Sequence, residues 1–193
     1  MPRQAQNSRI SLTLVKLLLL LCMVVIEVKA QVGYPADDEF RALSEIADQL
    51  GKRDWNFRVD PCTSNDQSWT TTQVNSNQPF CYNNALICNC NFTNDGVCHV
   101  VQMSISTNNL SGLIPAYWGK ITTFKILEIQ ASGLEGPIPP SISALSTLTE
   151  LDLSFNRLEG NVPDLGGLAK LELVFLTSNL LTGSIPEWIK SST

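Results

Sequence analysis

A pattern of apolar and polar positions recurs four times in the second half of this 193-residue chain. Apolar residues follow the spacing L-x-x-L-x-L, a polar residue stands three positions later, and each copy ends in Gly-x-(Ile or Val)-Pro. The copies occupy residues 100–115, 124–139, 148–163 and 171–186, so that their starts lie 24, 24 and 23 residues apart. Such recurrence in phase predicts four structurally equivalent units that bury their apolar faces by stacking.

The spacing within each copy identifies the unit, since L-x-x-L-x-L-x-x-N-x-L is the leucine-rich repeat pattern. Its alternating apolar residues turn one face of a short strand towards the interior. Asn108, Asn156 and Asn179 follow the strands, where a side-chain amide can bond to the turn backbone. Ser132 replaces the asparagine in the second copy, which predicts a weaker rung there. The sequence therefore predicts an α/β solenoid whose parallel strands line a concave face.

The first 30 residues predict a secretory signal peptide. Three basic residues precede or flank an unbroken apolar run at positions 17–26, and Val28-Lys29-Ala30 suits signal-peptidase cleavage. Ten apolar residues are too few for a membrane span, which takes about 20. Cleavage would leave nine basic and 17 acidic residues, and the net charge of −8 argues against nucleic acid or anionic lipid as a partner. We therefore expect a secreted, extracellular product without a membrane span.

Residues 31–99 predict a cap for the first repeat. Three acidic residues at positions 37–39 precede an apolar series at three- and four-residue spacing that ends at Leu50, before Gly51. This pattern predicts an amphipathic helix over about residues 37–50. A turn-rich, polar segment with several cysteines follows at residues 61–98. Helix and segment are in position to cover the apolar end that a solenoid otherwise exposes.

The cysteines predict disulfides, because five of them lie within 37 residues of a secreted chain: Cys62, Cys81, Cys88, Cys90 and Cys98. Cys90 and Cys98 could close a nine-residue loop, worth about 2.5 kcal/mol. Cys62 with Cys88 is the second pair that we favour, which leaves Cys81 free, and Cys62 with Cys81 is an alternative. A zinc site that adds His99 is disfavoured by the single residue between Cys88 and Cys90. We expect no metal and no other cofactor, and a structural or surface role for His99.

The cap sequences and the repeat ends carry a resemblance to a known family. The chain resembles plant leucine-rich repeat receptor-like kinases in its cap segments and in its repeat ends. The cap segments are Trp55-Asn-Phe-Arg-Val-Asp-Pro-Cys62, Cys88-Asn-Cys90 and Cys98-His-Val, and the repeats end in Leu-x-Gly-x-Ile-Pro. The resemblance is closest to the subfamily whose ectodomains continue into a malectin-like domain. It implies an extracellular recognition module of receptors that signal across the plasma membrane through a serine/threonine kinase. No kinase or serine-hydrolase motif occurs in the 193 residues, so we do not predict an enzyme.

The variable positions of the strands predict a binding surface. Its central column should be Ser104, Glu128, Asp152 and Phe175, with Gln130 and Glu150 beside it. Two stacked acids next to an aromatic ring suit a basic or amphipathic peptide. We therefore predict non-catalytic binding of an extracellular peptide or protein ligand, with a co-receptor as a further partner.

Further predictions concern glycans, boundaries and alternative functions. Asn91-Phe-Thr93 and Asn109-Leu-Ser111 are N-glycosylation sequons. We divide the chain into a signal peptide (1–30), a cap (31–99) and four repeats without a C-terminal cap (100–193). One alternative is a stand-alone secreted protein similar to the leucine-rich repeat inhibitors of cell-wall polygalacturonases. Another is a truncated, non-functional fragment, in which Trp188 and Ile189 would expose apolar surface.

Overall fold

The computed structural model describes residues 36–64, 66–74, 81–93 and 96–190. The predicted signal peptide lies outside these residues. The described elements, in chain order, are α1 (Asp37–Leu50), β1 (Thr70–Val74), β2 (Cys81–Asn89), β3 (His99–Ser104), the 3₁₀ helix η1 (Ala116–Lys120), β4 (Ile126–Glu128), β5 (Glu135–Pro137), the 3₁₀ helix η2 (Pro140–Ala144), β6 (Glu150–Asp152), β7 (Arg157–Asn161), β8 (Leu173–Phe175), β9 (Leu180–Thr182) and α2 (Glu187–Lys190). None of the helices in this part of the chain has the length and apolar character needed to cross a bilayer.

The main sheet joins the four predicted repeat strands side by side. Its strand order is β1-β2-β3-β4-β6-β8, and β3, β4, β6 and β8 are mutually parallel. The registers align Met103 with Leu127, Leu127 with Leu151, and Leu151 with Val174. Equivalent repeat positions therefore face one another, and the predicted leucine-rich repeat solenoid is confirmed.

A second, smaller sheet follows the turns of the repeats. Strands β5, β7 and β9 pair in parallel in that order, with Gly136 opposite Leu158 and Gly160 opposite Leu181. We did not predict this sheet, because the Gly-x-Ile-Pro segments indicate only a bend in the outer arc. Each repeat thus contributes one strand to the main sheet, and the later repeats contribute another to the second.

The apolar positions of the repeat pattern form the interior. In the first three repeats these side chains are buried: Val100, Met103, Ile105, Phe124, Leu127, Ile129, Leu148, Leu151 and Leu153. Those of the fourth repeat, Leu171, Val174 and Leu176, are only half-buried. The difference arises because β8 is the last strand of the sheet among the described residues, so that no further strand of this part of the chain covers it.

The cap consists of α1 and an antiparallel hairpin. Helix α1 has the predicted bounds, and Gly51 ends it in the left-handed conformation (φ +68°), where its N–H donates to Asp48 O. Strands β1 and β2 pair antiparallel, and β2 pairs antiparallel with β3. Residues 61–98 have a polar, turn-rich composition that does not predict these strands. The hairpin continues the repeat sheet instead of merely covering its end.

Two disulfides hold the cap together, as the predicted disulfide-linked cap requires. Cys62 is bonded to Cys88, with 5.3 Å between the Cα atoms, and Cys90 is bonded to Cys98. The first ties the segment after α1 to β2, and the second closes the loop from β2 to β3. These are the pairs that the sequence analysis favours, while the side chain of Cys81 lies outside the described part of the structure. Three members of the alternative zinc set are thereby oxidised and have no thiolate to offer a metal.

Candidate functional site

The predicted central column is formed on the concave face of the main sheet. The parallel registers pair Ser104 with Glu128, Glu128 with Asp152, and Asp152 with Phe175. Strand neighbours stand about 4.8 Å apart, so each member of the column adjoins the next. Glu128 and Asp152 are half-buried, and Phe175 is 42% exposed.

Ser104 is a correction to the predicted surface. We expected a solvent-facing side chain, but Ser104 is only 2% exposed. It lies in the sheet between Ala85 of β2 and Glu128 of β4, because the cap hairpin extends the sheet past the first repeat. A short side chain so placed is covered by its surroundings, and the accessible column begins at Glu128.

A second column runs beside the first. Ile126 pairs with Glu150, and Glu150 pairs with Leu173, which is 47% exposed. Glu150 is half-buried and lies two residues from Asp152 on the same strand face. The concave face thus combines three carboxylates, at positions 128, 150 and 152, with exposed apolar groups on β8.

The three carboxylates are available for an external partner. Asp152 Oδ1 accepts hydrogen bonds from the backbone N–H (2.8 Å) and hydroxyl of Ser154, while Oδ2 has no partner among the described residues. Neither Glu128 nor Glu150 belongs to an ion pair in this part of the chain, where the recorded ion pairs all lie in or next to the cap. Among the described residues, the three carboxylates thus form no ion pair that would neutralise them, and their negative charge favours cationic ligands.

A groove opens at the end of the acidic column, beside β6 and β8. It has a volume of about 360 Å³ and is lined by Gln130, Asp152, Ser154, Phe155, Phe175 and Thr177. Gln130 is fixed at its rim, since its side-chain amide donates to Ser154 Oγ at 3.4 Å and its backbone N–H donates to Ser106 Oγ at 3.3 Å. Three residues of the predicted binding surface, Gln130, Asp152 and Phe175, therefore line the same groove.

Phe155 is a member of the groove that the sequence analysis missed. Its side chain is 55% exposed, and its backbone has a positive φ of +58°. The same position of the other repeats also has positive φ and carries Thr107, Ala131 or Ser178. A large apolar residue at an equivalent turn position where the other repeats carry smaller residues is the sequence signal that could have identified it.

A ladder of polar side chains fixes the backbone beneath this surface. Asn156 Nδ2 donates to the carbonyl oxygens of Ile129 and Leu153, and its Oδ1 accepts from the N–H groups of Ser132 and Leu134. Ser132 keeps one bond to the preceding repeat, from its hydroxyl to Ile105 O at 2.7 Å. The side chain of Ser132 thus makes fewer hydrogen bonds than that of Asn156, and the weaker rung stays a prediction.

The junction between cap and repeats contains two buried charged side chains. Glu39 of α1 accepts from Val100 N at 2.8 Å and from Thr123 Oγ1 at 3.0 Å, and it pairs with His99 Nδ1 at 2.8 Å. Lys52 donates to Asn108 Oδ1 at 2.6 Å and to Asp54 Oδ2 at 2.9 Å. Burial lowers the pKa of Lys52 from its ordinary 10.5, against the opposing effect of Asp54. The bond from Lys52 thus fixes Asn108, the first asparagine of the ladder. The contact with Glu39 gives His99 a structural role.

The two sequons present accessible acceptor side chains. Asn91 lies in the loop closed by Cys90 and Cys98, and Asn109 follows the first ladder asparagine; both are exposed. Thr93 of the first sequon is held by its hydroxyl contact with His99 Nε2 at 3.2 Å. Both sites therefore stay predicted sites of N-glycosylation.

Comparisons with known proteins agree with the fold. The leucine-rich repeat family model matches residues 147–168. A probable LRR receptor-like serine/threonine-protein kinase of Arabidopsis thaliana is 34% identical over 92 residues, which are 47% of this chain and 9% of the relative. A second kinase so described, also from Arabidopsis, is 31% identical over 158 residues, which are 80% of this chain and 10% of the relative. The chain therefore spans about a tenth of the length of these relatives.

A solved structure of similar fold is the LRR ectodomain of the receptor kinase SOBIR1 from Arabidopsis thaliana. It superposes with a TM-score of 0.61 and 22% identity, and the match covers 81% of this chain and 75% of the ectodomain. The narrower resemblance to the subfamily with a malectin-like domain stays a prediction. The matched region is the repeat ectodomain, and these 193 residues contain no kinase catalytic domain. The chain is a leucine-rich repeat protein and a homologue of part of the plant leucine-rich repeat receptor-like serine/threonine kinases.

Proposed function

We propose that this chain is a non-catalytic extracellular recognition module that binds a cationic peptide, or a cationic segment of a protein, on its concave face. The observation that carries the proposal is the column of Glu128, Asp152 and Phe175, three neighbours in register on adjoining strands. Carboxylates that belong to no ion pair among the described residues supply charge, and the exposed ring supplies apolar contact area. Concave faces of solenoids are extended surfaces suited to such binding.

The relatives support a role in a receptor. They are described as receptor-like serine/threonine kinases, and the SOBIR1 structure is a receptor ectodomain. In a receptor of this kind, the module would bind a ligand or a co-receptor outside the plasma membrane, and a kinase elsewhere in the protein would signal. The predicted signal peptide and the exposed sequons at Asn91 and Asn109 support this compartment.

The test uses the secreted chain and immobilised peptides of equal length and graded net charge. We expect capture to increase with positive peptide charge and to decrease with added salt, because exposed charges are screened. Replacing Glu128 and Asp152 together by alanine should weaken capture and flatten its dependence on salt. The matched control replaces Glu135 and Glu159, two exposed acids of the second sheet, and should keep capture unchanged.

Two results would contradict the proposal. Capture that does not depend on peptide charge would remove the electrostatic basis of recognition. Equal loss of capture in the control pair would show that overall negative charge, rather than the concave column, attracts the peptides. The stand-alone inhibitor and the non-functional fragment stay alternative predictions, and charge-dependent capture that requires Glu128 and Asp152 would contradict the second of them.

A further inference from the structure

We infer that the groove of Gln130, Asp152, Ser154, Phe155, Phe175 and Thr177 is a subsite for an arginine side chain. The inference rests on the proposed function and names the residue that the groove selects from a cationic ligand. In this arrangement, the guanidinium group packs on the phenylalanine rings and donates hydrogen bonds to Asp152. Phe155 is then a specificity-determining residue rather than an incidental exposed side chain.

The conformation and exposure of Phe155 support a binding role. The turn imposes a φ between +52° and +58° on this position in all four repeats, a conformation that strains the backbone of a bulky residue. Burial does not offset that strain, because the side chain is 55% exposed. Phe175, on the adjoining strand β8, is exposed to a similar degree and lines the same groove. Two exposed rings at one groove form an apolar wall for a ligand.

The polar lining of the groove contains one fixed carboxylate and several groups that can accept hydrogen bonds. The two bonds from Ser154 orient Asp152 through Oδ1, and Oδ2 has no partner among the described residues. Thr177 and Gln130 add hydroxyl and amide groups at the rim. None of the lining residues is cationic. A donor-rich cation therefore complements the groove, whereas an anionic side chain would meet the Asp152 charge.

Arginine complements both the phenylalanine rings and the polar groups of the groove better than other side chains do. Its guanidinium is planar, stacks on aromatic faces and carries five N–H donors for the oxygen acceptors. The lysine ammonium is compact and strongly hydrated, so it gains less from the rings. A purely apolar side chain would pack on the rings but would leave the Asp152 carboxylate partly desolvated without a hydrogen bond.

The test compares three blocked tripeptides that differ only at the central residue. These are acetyl-Ala-Arg-Ala-amide, the lysine peptide and the citrulline peptide, which keeps the flat shape without the charge. Binding to the full chain is followed from the backbone amide NMR signals of Ser154, Phe155 and Thr177. We expect the arginine peptide to bind about threefold tighter than the lysine peptide and about tenfold tighter than the citrulline peptide.

Substitutions of Phe155 and of Asp152 should separate the contributions of the aromatic ring and of the carboxylate to arginine binding. Phe155→Ala should reduce the preference for the arginine peptide over the lysine peptide, because only the Phe175 ring stays, and Asp152→Asn should bring the affinities of the arginine and citrulline peptides together. The first variant should fold normally, since Ala131 already occupies the equivalent position of the second repeat with φ +52°. Leu180→Ala, at an exposed position of the second sheet, is the matched control and should leave all three affinities unchanged.

The outcomes distinguish this inference from the proposed function. Equal binding of arginine and lysine peptides by the unmodified chain, or an arginine preference that Phe155→Ala leaves undiminished, would overturn the inference. Charge-dependent capture that still requires Glu128 would leave the proposed function standing in either case. Absence of binding to every cationic peptide would overturn both.

Discussion

Asn156 donates its side-chain amide to the carbonyl oxygen of Ile129, one repeat earlier in the chain, at 2.6 Å. The other end of the same amide accepts from the N–H groups of Ser132 and Leu134, at 3.1 and 3.2 Å. Asn156 is buried, so water cannot replace these partners. One side chain therefore satisfies backbone groups of two neighbouring repeats beneath the concave face.

We predict that Asn156→Ala lowers the free energy of unfolding by about 3 kcal/mol, because it leaves several buried backbone groups without partners. Ser132→Ala, at the equivalent position, should cost only about 1 kcal/mol, because the serine provides fewer bonds. Urea denaturation of the two variants measures the difference. Equal losses of unfolding free energy in the two variants would mean that the additional hydrogen bonds of Asn156 do not stabilise the fold.

Lys52 couples the cap to the first repeat. Replacement by methionine keeps much of the apolar stem but removes the donor to Asn108 Oδ1, which is buried. We predict a loss of about 2 kcal/mol of unfolding free energy, since the short buried hydrogen bond from Lys52 to Asn108 is lost. Thermal and urea denaturation measure this loss.

The neighbouring ion pair provides the control for Lys52. Arg53 and Asp48 are 3.2 Å apart, but their side chains are 79% and 69% exposed. Arg53→Met should therefore stay within about 0.5 kcal/mol of the unmodified chain. A loss in Arg53→Met as large as that in Lys52→Met would contradict the assignment of stability to the buried contact.

The two disulfides should differ in their contributions. Cys62 and Cys88 are 26 residues apart in sequence, whereas Cys90 and Cys98 are eight apart. Chain entropy predicts a loss of about 3.5 kcal/mol for the double alanine variant of the first pair and about 2.5 kcal/mol for the second. Urea denaturation of both variants gives the order. A larger loss for the short loop would show that its cross-link acts mainly through native contacts, such as the Thr93–His99 contact in that loop.

Much of the fold follows from the repeat period. Residues 24 positions apart have equivalent environments, so the strand registers that align Glu128 with Asp152 could be predicted before any coordinates. Helix α1 was also predictable, because acidic residues begin it and Gly51 ends it. The density of cysteines predicted disulfides, whereas Cys62–Cys88 was only one of two pairings that the sequence left open.

The features that sequence reasoning missed do not obey the period. The β1–β2 hairpin occurs once, and its pairing with β3 depends on contacts far apart in the chain. The burial of Ser104 follows from that hairpin. The groove was missed because the exposure of Phe155 depends on where its turn lies relative to β8. The repeat period predicts that the strands stack side by side. It does not predict the structure of the cap or which turn side chains are exposed.

The buried ammonium of Lys52 predicts a specific dependence of stability on pH. Burial lowers its pKa in the folded chain below the ordinary 10.5, while exposure on unfolding restores that value. Between the two pKa values, the unfolded chain binds a proton that the folded chain has released. Stability contributed by this group therefore rises with pH within that window and is constant below it.

The measurement compares the unmodified chain with Lys52→Met by urea denaturation at stepwise increasing pH. The difference in unfolding free energy should shift in favour of the unmodified chain as the pH approaches 10.5 from below. Leu180→Ala removes no titratable group and should give a difference that is independent of pH. If the Lys52→Met difference were also constant, the pKa of Lys52 would be the same in the folded and unfolded chains. The interaction with Asp54 would then offset the whole effect of burial on this pKa.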